Sequence, residues 1–325
     1  MISAVCLLFI VFLILLRIAF IFNWYKKENA QTVFHLFVQL PAKEIPPLPF
    51  SLISAKISSS CLLGGIIFMI SFTKLLSDPS PAIGTFIQSA SPEFLEAAGY
   101  AGFRFAAIDL EHASYGTETL VSLIRAGEAA GLSMLARVPG LDAALIKKSL
   151  DMGAAGIIIP NIDTPEQAAK AVSLCRFTPD GIRGACPGVR ANRYGAGGSE
   201  YYEKANLETV VIPLIESPAG VENFSAILSV PGISAVFLGP IDLSVALGLK
   251  GDVCDPQVQK MLLSCVDQAR AAGVPVGALS MDSRFIKELF SHGLNFLAYG
   301  IDTILMYQHC RAITHELNHI AASIS

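Results

Sequence analysis

Charged and titratable side chains follow directly after several short apolar runs of the sequence. They are Asp109, Glu111 and His112 after one run, Arg137 at the end of the next, and Glu216 and Asp242 after two later ones. A carboxylate at the end of a run such as 210–216 is costly unless water, a cation or a metal compensates its charge. Any one of these residues could be an ordinary solvated loop residue, but the repeated pattern indicates an active site.

Glu216 and Asp242 are the candidate metal ligands. Because they follow neighbouring strands of the fold predicted below, their carboxylates can converge on one ion. Carboxylate and water oxygens favour a hard divalent cation over zinc. The candidates are Mg²⁺ and Mn²⁺, with Co²⁺ as a further option. The alternative is a salt bridge from these carboxylates to Arg137 without any metal.

His112 and Arg137 offer acid–base and electrostatic chemistry. Imidazole titrates near neutral pH, so His112 could act as a general base, or it could be a hydrogen-bonded core histidine. The planar guanidinium of Arg137 suits a carboxylate or a developing enolate oxygen. Its alternative role is a structural ion pair with Asp109 or Glu111.

Two other chemistries are disfavoured. A Schiff base needs a deprotonated lysine at a strand end, whereas Lys147 and Lys148 fall in a predicted helix and Lys250 in a loop. The loops 280–283 and 301–303 lack the glycine-rich cradle that binds phosphate in many barrels. A lysine-dependent mechanism and a phosphorylated substrate are therefore not expected.

The apolar runs that carry these residues predict eight β-strands. They cover residues 83–88, 103–110, 133–138, 156–161, 210–216, 235–239, 274–279 and 295–300. Between them, stretches such as 142–152 and 257–272 repeat apolar residues at helical spacing. Over residues 81–320 this alternation predicts an α/β fold, a (β/α)₈ TIM barrel with its active site at the carboxyl ends of the strands. A doubly wound open sheet is the alternative, but no dinucleotide-binding glycine motif follows the first run.

Residues 1–80 precede the barrel as a hydrophobic extension. Residues 2–22 are almost entirely apolar and long enough to form a transmembrane anchor. Lys26 and Lys27 follow, so the catalytic domain would be cytoplasmic, anchored to the membrane if the segment is real. The alternative is an artefact of gene prediction, with translation starting at a later methionine such as Met69.

The composition argues against some classes of partner. The net charge is −4 and no basic stripe stands out, so nucleic-acid binding is not expected. The seven cysteines form no C-x-x-C pair and show no spacing typical of zinc ligands, which predicts reduced thiols.

Six segments, in the order in which they occur, carry a resemblance to one family. They are 109–112 (DLEH), 135–139 (LARVP), 150–154 (LDMGA), 181–184 (GIRG), 214–216 (LIE) and 239–244 (GPIDLS). Residues 82–318 thereby resemble the metal-dependent 2-oxo acid aldolases of the HpcH/HpaI family. Its members include 4-hydroxy-2-oxoheptanedioate aldolase, 2-keto-3-deoxy sugar-acid aldolases and a fungal relative, macrophomate synthase.

The resemblance implies a role for each matching residue. It implies Glu216 and Asp242 as metal ligands, His112 as the base, Arg137 as the residue that stabilises the enolate, Asp151 as the acid that raises the basicity of the histidine, and Gly239, Pro240 and Ile241 as the contact to the pyruvate carboxylate. Only the resemblance assigns a catalytic role to Asp151. Its place at a helix end otherwise indicates a solvated residue. Leu214 stands where several members have a substrate-binding glutamine, so that polar contact is absent here.

The implied reaction makes or breaks a carbon–carbon bond beside a 2-oxo acid. A 4-hydroxy-2-oxo acid gives pyruvate and an aldehyde through a pyruvate enolate. Oxaloacetate decarboxylation, or enolate addition as in macrophomate synthase, is the alternative. The resemblance also implies a homo-hexamer, a trimer of dimers that exchange the last barrel helix. A non-catalytic, membrane-tethered scaffold is a further hypothesis, which predicts no metal binding.

Overall fold

The computed structural model describes residues 71–324, which contain a closed barrel of eight parallel strands. The strands are β1 (Ala82–Ile87), β2 (Phe105–Asp109), β3 (Ser133–Arg137), β4 (Gly156–Ile159), β5 (Val210–Ile215), β6 (Val236–Leu238), β7 (Val276–Leu279) and β8 (Phe296–Ile301). Each strand pairs with the next along the chain, and β8 pairs with β1. Closure confirms the predicted TIM barrel and excludes the open sheet.

Helices return the chain from the end of each strand to the start of the next. They are α1 (Phe72–Leu76), α2 (Pro92–Tyr100), α3 (Thr117–Ala129), α4 (Ala143–Met152), α5 (Pro165–Cys175), α6 (Glu200–Glu208), α7 (Pro218–Glu222), α8 (Phe224–Leu228), α9 (Pro240–Ala246), α10 (Pro256–Ala272), α11 (Ser283–His292) and α12 (Asp302–Ile324), with a 3₁₀ helix at Arg190–Gly195. Local signals set their ends. For α4, the Asp142 carboxylate caps the first turn, and Gly153 ends the helix in the left-handed conformation that glycine adopts at low cost.

Two apolar layers hold the barrel together. Side chains alternate along a strand, so Ile212 and Leu214 of β5 join the layer inside the barrel, while Val211 and Ile215 pack under the helices. Phenylalanines from four strands fill the interior, and the rings of Phe105 and Phe296 lie 5.8 Å apart. The barrel interior is therefore a packed core, and substrate access is confined to an end.

Helix α1 closes the end of the barrel where the strands begin. Phe72 is 1% exposed, and its ring lies 5.4 Å from that of Phe105 and 5.3 Å from that of Phe296, edge-on to both. This helix lies within the predicted extension, residues 1–80. Its packing against the barrel interior leaves the opposite end for chemistry.

The membrane prediction falls largely outside the described residues. Within residues 71–324, no helix combines the length and apolar character needed to cross a bilayer. The predicted anchor, residues 2–22, lies outside this part of the chain.

Candidate active site

The charged residues singled out in the sequence gather at the carboxyl-terminal ends of the strands, which we call the barrel mouth. Asp109 ends β2 and Arg137 ends β3. Glu216 follows β5 directly, and Asp242 lies in the first turn of α9, after β6. Barrels of this kind hold their active sites at this end.

Asp109 is fully buried and organises the mouth. Its Oδ1 accepts hydrogen bonds from Arg137 Nε at 3.0 Å and from the backbone N–H groups of Glu111 and His112 at 3.1 and 3.3 Å. Its Oδ2 accepts from Arg137 Nη2 at 2.7 Å and from Gln88 Nε2 at 2.8 Å. Burial by itself raises the pKa of the Asp109 carboxyl, but these bonds and the charge of Arg137 bring it below the usual value.

Arg137 is held side-on by that carboxylate. Its Nε and Nη2 make two parallel bonds to Asp109, and Nε also lies 3.5 Å from Glu111 Oε2. Its guanidinium carbon lies 4.8 Å from the centre of the Phe86 ring. The ion pair considered from the sequence is thus present, yet among the described residues Nη1 has no hydrogen-bond partner. Its N–H groups are available to an anionic oxygen in the mouth.

Glu216 is a buried acid that no basic side chain contacts in the described chain. It is 7% exposed, and its one hydrogen bond within residues 71–324 comes from the N–H of Asn161 to Oε1, at 2.9 Å. Burial, with the negative charges of Asp242 and Glu111, raises the pKa of Glu216 to about 7. Arg137 pairs with Asp109 and Glu111, so the metal-free salt bridge to Glu216 or Asp242 does not form there.

Glu111 lies beside the candidate base. Its Oε2 is 3.8 Å from Nε2 of His112. Burial raises the pKa of Glu111, and the charges of Asp109 and Asp242 add to the rise. The His112 side chain is 58% exposed, so it is not a core histidine and a substrate can reach its ring.

The turn at Gly239 passes directly against Glu216. A Cβ at position 239 would lie 2.7 Å from Glu216 Cβ and 3.1 Å from its Oε2, so only glycine fits here without displacement. Pro240 follows at the first position of α9, where its fixed φ suits a helix start, and Ile241 is 44% exposed. The predicted substrate-binding turn therefore borders the Glu216 carboxylate.

The donor chemistry of the mouth fits a hard divalent cation. The charges of Glu111, Glu216 and Asp242 influence one another, and Glu216 Oε2 has no hydrogen-bond partner within the described chain. No three His, Cys, Asp or Glu side chains between residues 71 and 324 come together at metal-ligand spacing. Two carboxylates completed by water therefore fit better than a cage made of protein ligands alone.

Asp151 does not meet the other predicted residues within this chain. It lies in the last turn of α4, close to where β4 begins, because the helix runs back along the barrel. Its Oδ1 accepts a hydrogen bond from Arg183 Nη2 at 2.7 Å, and Arg183 stacks 4.3 Å from the centre of the Phe177 ring. The acid beside His112 is Glu111, and the role implied for Asp151 stays a prediction.

Three further residues of the mouth are not singled out by the sequence patterns. They are Gln88, Tyr115 and Asp302. The Tyr115 hydroxyl donates to the carbonyl of Ile87 at 2.7 Å, and burial raises its pKa above the usual range. Gln88 and Asp302 directly follow the first and last strands, so their positions after strands were the available signal.

The barrel also matches a known protein family. The HpcH/HpaI aldolase/citrate lyase family matches residues 82–308, which include the whole barrel. The chain belongs to this family.

The chain matches relatives in the HpcH/HpaI family over nearly their full length. The chain is 33% identical to 4-hydroxy-2-oxovalerate aldolase of Rhodococcus jostii (strain RHA1) over 78% of this chain and 98% of that protein. It is 34% identical to 5-keto-4-deoxy-D-glucarate aldolase of Salmonella paratyphi A over 74% and 93%. Among solved structures, the citrate synthase SbnG is 29% identical, with a TM-score of 0.71 over 77% of this chain and 98% of that one. The chain is thus an enzyme of the aldolase/lyase type.

Proposed function

We propose that the chain is a divalent-metal-dependent pyruvate aldolase, which cleaves or forms 4-hydroxy-2-oxo acids to give or consume pyruvate and an aldehyde. One observation carries the proposal: Arg137, whose Nη1 has no hydrogen-bond partner among the described residues, shares the mouth with the buried Glu216 carboxylate and the exposed Asp242. The arginine can bind a developing enolate oxygen, and the two carboxylates can bind a cation. Two of the relatives named above, a 4-hydroxy-2-oxovalerate aldolase and a 5-keto-4-deoxy-D-glucarate aldolase, cleave keto acids by name and support this substrate class.

Glu216 and Asp242 would hold the cation, Mg²⁺, Mn²⁺ or Co²⁺, which when bound supplies positive charge at the keto and carboxylate oxygens of the substrate. The Nη1 of Arg137 donates to the keto oxygen as it gains negative charge. His112, directly or through water, takes the proton of the C4 hydroxyl. The C3–C4 bond then breaks, and the electron pair of that bond passes into the enolate while the aldehyde leaves. A proton added to C3 gives pyruvate.

The three lysines considered from the sequence are consistent with this mechanism. Lys147 and Lys148 are exposed on α4, and Lys250 is exposed after α9. An amine that forms a Schiff base with the substrate must lie in the site and be deprotonated.

The test is pyruvate release by the purified full-length protein. Substrates would be 4-hydroxy-2-oxovalerate, 5-keto-4-deoxy-D-glucarate and shorter 4-hydroxy-2-oxo acids, with EDTA and with each metal added back. We expect activity that EDTA abolishes and a divalent metal restores. Calorimetry should show metal binding that Glu216→Gln removes and the exposed control Glu222→Gln keeps. Metal-independent activity would contradict the proposal.

A second candidate is decarboxylation of oxaloacetate, which releases CO₂ and leaves a pyruvate enolate that is either protonated or added to an acceptor, as in macrophomate synthase. The likeness to a citrate synthase favours it. This candidate needs the enolate-binding residues but not the base for the C4 hydroxyl. Two results together would favour this candidate over the aldolase. The protein would form pyruvate from oxaloacetate but from no 4-hydroxy-2-oxo acid, and His112→Ala would retain the activity on oxaloacetate.

A further inference from the structure

A second buried acid fixes the end of β1 behind Asp109. Asp302, the first residue of α12, is fully buried, and no basic side chain pairs with it in the described chain. Its Oδ1 accepts from the backbone N–H groups of Gln88 at 2.9 Å and Thr303 at 2.8 Å. Its Oδ2 accepts from the backbone N–H of Ser89 at 3.0 Å and makes a short bond with the Ser89 hydroxyl. These four donors offset the cost of burying the charge.

This arrangement holds Gln88 against Asp109. The Gln88 amide donates from Nε2 to Asp109 Oδ2 at 2.8 Å, and Arg137 Nη2 reaches the same oxygen at 2.7 Å. Because Asp302 ties the backbone of Gln88 to the end of β8, the amide approaches Asp109 from a fixed direction. Gln88 and Arg137 therefore hold one carboxylate oxygen from two sides.

The Asp109 carboxylate has no spare acceptor site. It receives five hydrogen bonds, and a carboxylate offers about four lone-pair sites. In this state it cannot turn towards the substrate or the His112 ring. Its function is to orient Arg137 and the backbone of the turn that carries His112. Loss of the Gln88 donor would free Oδ2 to rotate relative to the guanidinium.

We propose that Gln88 and Asp302 are positioning residues, which fix Asp109 and through it the direction in which Arg137 presents Nη1. The kinetic consequence rests on the proposed function. The geometric consequence holds for any reaction that uses Arg137.

Gln88→Glu tests the inference with almost no change of shape. The ionised glutamate repels Asp109, whereas its protonated form can donate to Oδ2 as the amide does. We expect kcat at pH 8 to fall by about 10- to 100-fold, the usual cost of a small misplacement, with KM changed much less. The ratio of variant to wild-type kcat should rise as the pH falls towards 5.5.

Taking the ratio isolates the new carboxyl group. Within the described chain, the charged and titratable groups around position 88 are Asp109, Arg137, Asp302, Tyr115, Glu111 and His112, and both proteins contain all of them. The control is Gln268→Glu on the exposed face of α10, which should match the wild type at every pH. A Gln88→Glu ratio that does not change with pH would overturn the inference, because a loss of packing alone does not titrate.

A double-mutant cycle tests the link to Asp302. Asp302→Asn keeps the size of the side chain but places an amide NH₂ where Ser89 needs an acceptor. The second substitution of the cycle is Gln88→Leu. If Asp302 acts through Gln88, Asp302→Asn should lower kcat less in the Gln88→Leu variant than in the wild type. The double variant should then lose less kcat than the product of the two single losses. Fully multiplicative losses would overturn the coupling.

A structural measurement separates this inference from the proposed function. If the wild type releases no pyruvate from any 4-hydroxy-2-oxo acid, the proposed function fails, and crystal structures then decide the inference. In Gln88→Leu we expect at least one of the two Asp109–Arg137 bonds to lengthen beyond 3.5 Å. Two bonds unchanged from the wild type would overturn it.

Discussion

Asp109 and Glu216 are both buried acids of the mouth, yet their surroundings shift their pKa values in opposite directions. Asp109 is surrounded by donors and a guanidinium, and its pKa is lowered. Glu216 has one N–H donor and two acidic neighbours, and its pKa is raised to about 7. Asp109 therefore remains charged as an anchor for Arg137, whereas Glu216 gains most from an added cation.

Glu216→Gln should stabilise the metal-free protein at alkaline pH. The folded carboxyl has a pKa of about 7 against 4.5 for the ordinary group, so the folded state holds the proton more tightly. The protonated carboxyl contributes roughly 3 kcal/mol to the free energy of unfolding. This contribution is complete below the pKa of the unfolded chain and is lost as the pH rises through about 7. Glutamine does not ionise and avoids this loss.

The measurement is thermal unfolding in EDTA at pH 5 and pH 8. We expect Glu216→Gln to melt higher than the wild type at pH 8 and close to it at pH 5, while Glu222→Gln matches the wild type at both. An equal difference at the two pH values would show that Glu216 does not titrate between them.

Arg137→Lys should lower kcat although it keeps the charge. A lysine ammonium cannot make the two parallel bonds to Asp109 and also point a donor into the mouth. Loss of one donor to a developing oxyanion typically costs about 10²- to 10³-fold in rate. Steady-state kinetics would measure it, with exposed Arg284→Lys as the control. Wild-type kcat in Arg137→Lys would remove Arg137 from the mechanism.

At the scale of elements, short segments at the two ends of the barrel have different tasks. The turn between β6 and α9 must approach Glu216 without a side chain, because Gly239 leaves no room for a Cβ. Helix α1 fills the other end with the Phe72 ring. Changes in these two segments should therefore affect function and stability separately.

Gly239→Ala should weaken metal binding without unfolding the barrel. The new methyl group would lie 2.7 Å from Glu216 Cβ and 3.1 Å from Leu214 Cδ1, so the glutamate must move. Displacing a ligand in this way typically costs about 10- to 100-fold in metal affinity. Calorimetric titration with Mn²⁺ measures it, and Gly188→Ala, which has open space around it, is the control. Equal affinities for the two variants would refute this account of the turn.

Phe72→Ala should destabilise the barrel while leaving the mouth intact. The ring is 1% exposed and contacts Phe105 and Phe296, so its removal leaves a cavity that typically costs about 3–5 kcal/mol. We expect a lower unfolding midpoint and unchanged kcat per folded molecule at low temperature. An unchanged midpoint would mean that α1 does not contribute to the packed interior.

At the scale of the whole molecule, α12 extends beyond the barrel. Every residue from Met306 to Ile324 is exposed in the single chain. The apolar residues Met306, Ile313, Leu317, Ile320 and Ile324 recur at helical spacing and so form one stripe. We propose that a second copy of the chain covers this stripe, which agrees with the exchange of the last helix that the family resemblance implies.

Light scattering on the full-length protein tests this proposal. We expect a hexamer, and Ile313→Glu with Leu317→Glu should reduce the mass because buried charges without partners oppose association. Gln308→Glu, also exposed on α12, is the control. A monomeric wild type, or a double variant of unchanged mass, would leave α12 without this role.

The barrel and most of the residues at its mouth could be predicted from the amino-acid sequence. Strand and helix periodicity are local properties, so all eight predicted runs coincide with strands whose ends agree within two residues. Charged residues after strands also identify Glu216, Arg137 and His112 directly, because parallel strands bring their carboxyl ends to one face.

The hydrogen-bond partners of the mouth residues could not be predicted from the sequence, because they depend on how the chain folds in three dimensions. Contacts such as Gln88 with Asp109, and Asp302 with Gln88 and Ser89, join positions far apart in the chain. Hydrogen bonds of this kind depend on distances of a few tenths of an ångström and on the direction of the donor, which no periodicity encodes. For the same reason Glu111, rather than Asp151, lies beside His112 in the single chain, because α4 carries Asp151 back to the end of the barrel where the strands begin.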